Sequence, residues 1–215
     1  MVFNLFRISA DLVHLLSIYF LLTKIISHKN CIGISLRSQI LFFIVWVTRY
    51  LDIFYNFYSL YNTILKIVYL TTSAYTIYLI SKRFRATYDK IHDTLNVWYL
   101  IVPCIVLAFI FTEDYSITEI CWTFSIFLEA VAILPQILLL RSTGEVENLN
   151  SQYIFCLGLY RALYIINWIY RYATEQSYWS PLTWICGSIQ TLLYVEYFYY
   201  YIKSRVEGTK FVLPY

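Results

Sequence analysis

Charge is what this 215-residue chain has little of. Asp, Glu, Lys and Arg make up 13% of it, against about 25% in a soluble domain. Hydrophobic residues make up 60% and aromatic residues 20%, with 23 tyrosines. Such a composition excludes a water-soluble surface, and no polar stretch is long enough to form a second domain. The five cysteines, Cys31, Cys104, Cys121, Cys156 and Cys186, are odd in number and include no C-x-x-C pair. That pattern indicates neither a disulfide framework nor a zinc site, and they read as buried apolar residues. There is no N-x-[ST] glycosylation acceptor. The N-terminus lacks a basic region before a short apolar core, so the first apolar segment is expected to stay as a helix. No H-E-x-x-H, G-x-S-x-G or paired-aspartate motif occurs, so enzyme activity is not expected. The net charge of +3 is too small to point to nucleic acid. No cofactor or metal is expected.

What remains reads as an all-α polytopic membrane protein in the lipid bilayer. A spanning helix needs roughly 20 mostly apolar residues, and seven stretches qualify: 4–26, 38–56, 60–81, 96–112, 117–140, 152–173 and 179–203. The loops after the second, fourth and sixth contain YNFYS, EDYS and TEQSY, with no Lys or Arg. The other loops carry them: Lys24, Lys29 and Arg37; then Lys82, Arg83, Arg85 and Lys90; then Arg141; then Lys203, Arg205 and Lys210. Positive loops stay cytoplasmic, so the N-terminus is expected in the lumen or outside, and the tail 204–215 in the cytosol.

The second and sixth stretches open alike, on Ser38-Gln39 and Ser151-Gln152, and carry Arg49 and Arg161 further along. These matches predict two parallel three-helix repeats, about 4–81 and 117–203, joined by a linking helix at about 96–112.

Besides Lys24 and Lys203 at the cytoplasmic ends, ten acidic and basic residues nevertheless fall inside the apolar stretches: Arg7, Arg49, Lys66, Arg161, Arg171, Asp11, Asp52, Glu119, Glu129 and Glu196. Each would cost at least ~2.5–3.5 kcal/mol facing lipid at mid-membrane, so they are expected to face one another or a water-filled cavity. Helical phasing supports this. Tyr160, Tyr164, Asn167, Trp168 and Arg171 fall on one face, which Arg161 joins. Arg7, Asp11 and His14 share a face, as do Glu119, Trp122 and Glu129. Arg49 and Asp52 stand i, i+3 apart, and Arg161 is a candidate partner of Glu129 or Glu196. By depth, Arg7, Arg49, Arg171 and Glu119 would ring a lumenal cavity, with Trp122 and Trp168 nearby. That complement suits a ligand with several carboxylates and one ammonium, because Arg grips carboxylates bidentately and Trp stacks on cations. Deeper would lie His14, Glu129, Tyr160, Arg161 and Glu196. His14, the only histidine inside an apolar stretch, is the side chain suited to sensing mild acid, with a reference pKa near ~6.5.

The chain resembles the KDEL receptor family nearly end to end. The resemblance is carried by NLFR at 4–7, DLVHLL at 11–16, GISLRSQ at 33–39, RYLD at 49–52, SLYNT at 59–63, ATYD at 86–89, WTFSIFLEAVAILPQ at 122–136, STGE at 142–145, LYRALYIINWIYRY at 159–172 and QTLLY at 190–194. Pro135-Gln136, with Ser38-Gln39 as counterpart, resembles the signature of PQ-loop and SWEET transporters. The resemblance implies a receptor that binds the C-terminal K-D-E-L or H-D-E-L tetrapeptide of soluble ER proteins in the acidic Golgi. It would return them to the ER in COPI-coated carriers. It further implies that Arg49 takes the terminal carboxylate, that Arg7 and Arg171 take the acidic side chains, and that Glu119 and Trp122 meet the first, cationic residue. Asp52, Tyr164, Asn167, Trp168 and Glu196 would shape the site. His14, Tyr160, Glu129 and Arg161 would form the proton switch, and Lys203, Arg205 and Lys210 the cytosolic sorting signal. Glu196 stands where the family often has Asp. The alternative reading is a small-solute transporter of the SWEET or PQ-loop type.

Overall fold

The computed structural model describes residues 4–144, 148–176, 178–208 and 213. Every regular element among them is helical. The α-helices are α1 (Leu5–Ser27), α2 (Leu36–Arg49), α3 (Leu60–Tyr78), α4 (Trp98–Phe111), α5 (Ile117–Val131), α6 (Leu134–Thr143), α7 (Asn148–Thr174) and α8 (Pro181–Glu207). Each expected stretch therefore contains helix, the fifth split into α5 and α6. Four spans are long and apolar enough to cross a membrane: Leu5–Ser27, Leu60–Arg83, Ile117–Thr143 and Asn150–Thr174. α2 and α4 have 14 residues each. α8, with 27 residues, is long enough but less apolar than those four.

Side-chain caps set several helix starts. Asn4, Ser35, Ser59 and Ser116 accept hydrogen bonds from the backbone N–H three residues on, opening α1, α2, α3 and α5, and so satisfy donors that the helix itself leaves open. α8 begins on Pro181, whose missing N–H costs nothing there. It ends at Gly208, which takes the left-handed φ of 65° that glycine adopts without strain.

The chain forms two compact groups, one of Met1–Gly33 with Leu140–Tyr215, the other of Ile34–Leu139. In the first, α7 packs against both α1 and α8. The α7–α8 contact depends on absent side chains. A Cβ at Gly158 would come within 2.9 Å of Tyr194 Cγ, and one at Gly187 would meet the Trp168 ring at 2.6 Å. In the second group α2 packs on α3 and α5, and α4 on α5. This grouping does not follow the order of the chain, since α1 joins α7 and α8.

Pro135 explains the break between α5 and α6. It cannot donate to the preceding turn, and the helix opens at Ala132 and Ile133. The next residue uses the gap. Gln136 donates its backbone N–H to Ser38 Oγ at 3.0 Å, and its side-chain Oε1 accepts from the Ser35 N–H at 2.8 Å. The two dipeptides matched in the sequence, Ser38-Gln39 and Pro135-Gln136, thus include residues that bond each other.

The loop between α3 and α4 is tied down by Asp93, which is 1% exposed. Its carboxylate accepts from Ser35 Oγ at 2.9 Å, the Arg37 N–H at 3.3 Å and Tyr88 Oη at 2.6 Å. Burial, followed by the bond to Asp93, pushes the Tyr88 phenol above its ordinary range. Asp93 thereby couples this loop to the start of α2.

Candidate functional site

In the first group, α1 and α7 bring several of the sequence-predicted residues together. Asp11 accepts a hydrogen bond from Tyr164 Oη at 2.5 Å and lies 4.0 Å from Arg7 Nε. Asn4 donates to Asn167 Oδ1 at 2.6 Å. One turn further along α1, the His14 ring stacks on Tyr160, with centroids 4.2 Å apart and planes 9° apart. Arg161 donates to Tyr160 Oη at 3.1 Å and places its guanidinium over the rings of Tyr160 and Tyr164, at 5.1 and 5.9 Å. His14, Tyr160 and Arg161 are 6%, 2% and 7% exposed. A histidine, a phenol and a guanidinium so deeply buried form a polar layer whose charge state affects its neighbours strongly. Tyr164 leads on to Trp168 at 6.2 Å, and Trp168 rests on Gly187.

At the end of α7, Arg171 makes a bidentate pair with Glu175: Nε to Oε1 and Nη2 to Oε2, both 2.8 Å. Its guanidinium also lies 3.9 Å over the Tyr178 ring. The hydrogen bonds from Arg171 are the chief reason the Glu175 carboxyl is held below its ordinary range. Burial, foremost, pushes the Tyr178 phenol up.

In the second group, Arg49 ends α2. It donates from Nε to Ser125 Oγ at 3.0 Å and from Nη1 to Glu129 Oε2 at 2.5 Å. The third guanidinium nitrogen, Nη2, is buried and meets no hydrogen-bond acceptor among the described residues. A buried, unsatisfied donor on a charged group is costly, and an added acceptor there would lower that cost. Glu119 and Trp122, on the same helix as Ser125 and Glu129, are both partly exposed.

The i, i+3 spacing of Arg49 and Asp52 does not place them on one helical face. α2 stops at Arg49, and the chain turns into a 3-10 segment, Leu51–Phe54. The i, i+3 phasing of an α-helix therefore does not continue to Asp52. Asp52 instead pairs with Lys66 of α3 at 2.7 Å, and the Lys66 ammonium also lies 5.7 and 5.6 Å from the Tyr50 and Tyr58 rings. Glu196 is exposed and forms an ion pair with Arg141 at the end of α6. Lys203 and Arg205 are exposed near the end of α8, where Arg205 lies 5.1 Å over the Tyr201 ring. Lys210 lies outside the described residues.

Sequence reasoning missed Glu175, Tyr178, Ser125 and Asn4. Two of these were accessible. Glu175 stands four residues after Arg171, and Ser125 four before Glu129, which are helical-face spacings. No cluster of three or more potential metal ligands occurs among the described residues.

Fold and site together define a class: an all-helical membrane protein with arginine–carboxylate pairs set among apolar helices. Within that class the family is clear. Residues 30–171 match the family model for the ER lumen protein retaining receptor. The chain is 50% identical over 213 residues to the ER lumen protein-retaining receptor of Petunia hybrida, covering 98% of this chain and 99% of that protein. It is 47% identical to the receptor of Drosophila melanogaster and 49% identical to ER lumen protein-retaining receptor 2 of Gallus gallus, each over 211 residues with the same coverage. The chain belongs to the ER lumen protein-retaining receptor family.

Proposed function

We propose that this protein is a pH-dependent retrieval receptor. In this reading it sits in Golgi and ER membranes with its N-terminus lumenal and its C-terminus cytosolic. It binds the C-terminal K-D-E-L or H-D-E-L sequence of soluble ER proteins where the lumen is acidic, and it returns them to the ER through COPI-coated carriers. Arg49 takes the terminal carboxylate. Arg7 and Arg171 take the two acidic side chains, and Glu119 with Trp122 receives the first, cationic residue. Asp52, Tyr164, Asn167, Trp168 and Glu196 shape the site. His14 is the proton switch, with Tyr160, Arg161 and Glu129 as its setting. Lys203, Arg205 and Lys210 face the coat.

One observation supports this reading most. Arg7, Arg49 and Arg171 each lie on an apolar helix, and each has a carboxylate of the chain beside it, from Asp11, Glu129 and Glu175 respectively. The ligand would offer three carboxylates to the same three guanidiniums, in the geometry Arg favours. The names of the relatives support a role in retaining lumenal proteins.

The test is binding of a labelled K-D-E-L-terminated peptide to purified protein in mild acid and at neutral pH. The reading predicts affinity at least about fivefold higher in acid, the lower end of ordinary coupling between sites. Equal affinity at the two pH values would remove the pH-dependent part of the reading.

A further inference from the structure

Glu175 has no assigned role in the binding scheme above, yet it pairs through both oxygens with one of the three arginines. Both of its oxygens bond Arg171, each at 2.8 Å. Together they fill one whole edge of the guanidinium fork, the Nε–Nη2 edge that a planar carboxylate fits best. Arg171 and Glu175 are also more accessible than the Arg7–Asp11 and Arg49–Glu129 pairs, with side chains 21% and 27% exposed. A ligand carboxylate arriving from solvent therefore meets an arginine whose fork is already half occupied.

We propose that Glu175 is an internal competitor: a built-in carboxylate that occupies Arg171 when no peptide is bound and weakens the grip on an acidic peptide. The inference rests on the reading that Arg171 takes an acidic side chain of the ligand.

Two consequences of the geometry agree in sign. If the peptide takes the Nε–Nη2 edge, it must displace Glu175. If it takes the remaining edge, it must lie beside Glu175, and like charges held together around one guanidinium oppose each other. In both cases Glu175 lowers affinity. The opposing effect is orientation, because a held arginine loses less freedom on binding. That contribution is duplicated here: the Tyr178 ring, 3.9 Å from the guanidinium carbon, keeps the fork in place by cation–π contact without using a hydrogen-bond edge. Competition therefore outweighs orientation. Glu175 also stays ionised in mild acid, since the hydrogen bonds from Arg171 hold its carboxyl below the ordinary range. It sets a threshold for ligands and does not itself act as the acid sensor. When peptide leaves, Glu175 closes over Arg171 again, so release exposes no unpaired guanidinium.

The experiment compares the unaltered protein, Glu175→Gln, Arg171→Met and the double variant, using one labelled K-D-E-L-terminated peptide in mild acid. Gln keeps the shape and one acceptor while removing the charge, and its surface position makes misfolding simple to exclude by thermal unfolding. E175Q is expected to bind the peptide about five- to tenfold tighter, a modest gain because a partly exposed pair is screened by solvent. In the Arg171→Met background the same change is expected to have no effect, and peptide titrated to higher concentration reads this out. If the unaltered protein does not bind the peptide, the proposed function fails and this inference with it. If it binds but E175Q binds equally or more weakly, the function stands and the competitor is overturned. A gain that persists without Arg171 overturns it too, because the effect would then be long-range charge.

Discussion

Replacing Arg49 with lysine is expected to weaken K-D-E-L peptide binding by roughly a hundredfold, about 3 kcal/mol. The reason lies in the guanidinium donors. Nε and Nη1 are engaged by Ser125 and Glu129, and Nη2 is buried without an acceptor among the described residues. A terminal carboxylate would complete that set. Lysine keeps the positive charge and can still meet Glu129, but it cannot serve three acceptors through a planar fork. Methionine is the harsher variant. It removes the ion pair from Glu129, whose side chain is 4% exposed, and losing one partner of a buried pair destabilises the fold by about 3–5 kcal/mol. The lysine variant therefore separates binding from folding. Isothermal titration of peptide, alongside thermal unfolding of the same samples, checks both. Binding within about threefold of the unaltered protein, a change under 1 kcal/mol, would remove Arg49 from the carboxylate site.

Replacing His14 with alanine is expected to flatten the pH response of binding. The affinity ratio between mild acid and neutral pH should fall close to one, from a starting ratio in the ~5–150 range of ordinary coupling. The ring of His14 lies flat on Tyr160, and Arg161 approaches the same tyrosine from its hydroxyl and its face. A proton on His14 would place a second cation on that tyrosine, beside Arg161. A ligand carrying three carboxylates supplies negative charge and so favours the protonated arrangement. The sign follows from linkage: a proton that favours the bound state raises affinity as pH falls through the histidine range, and the gain is lost as pH rises again. The measurement is peptide affinity at a series of pH values for both proteins. An equally steep profile in His14→Ala would assign the switch to another group.

How much of this was legible beforehand differs by residue. The face of α7 was, because Tyr160, Tyr164, Asn167 and Arg171 repeat at helical spacing and α7 runs unbroken from Asn148 to Thr174. What those residues touch was not, since periodicity describes one helix and not its neighbour. Only the structure places α1 against α7, so that His14 meets Tyr160, Asp11 meets Tyr164 and Asn4 meets Asn167. The i, i+3 spacing of Arg49 and Asp52 misled for a local reason: the helix ends between them, and after the 3-10 turn Asp52 pairs with Lys66. The partner of Glu196 was not legible, because composition showed only a carboxylate in an apolar stretch, and it is the end of α6 that brings Arg141 to it. The role of Pro135-Gln136 became physical only once the freed Gln136 N–H was seen to bond Ser38.

The most direct test of the central claim compares two peptides that differ at one end. A labelled K-D-E-L peptide with a free C-terminal carboxylate and the same peptide amidated at that terminus are titrated against the purified protein in mild acid. If Arg49 grips the terminal carboxylate, amidation removes a charge-assisted contact from a desolvated site and lowers affinity by about two orders of magnitude. If the amide binds as tightly as the free acid, the carboxylate is not what the protein reads, and the account of a C-terminal tetrapeptide receptor is contradicted.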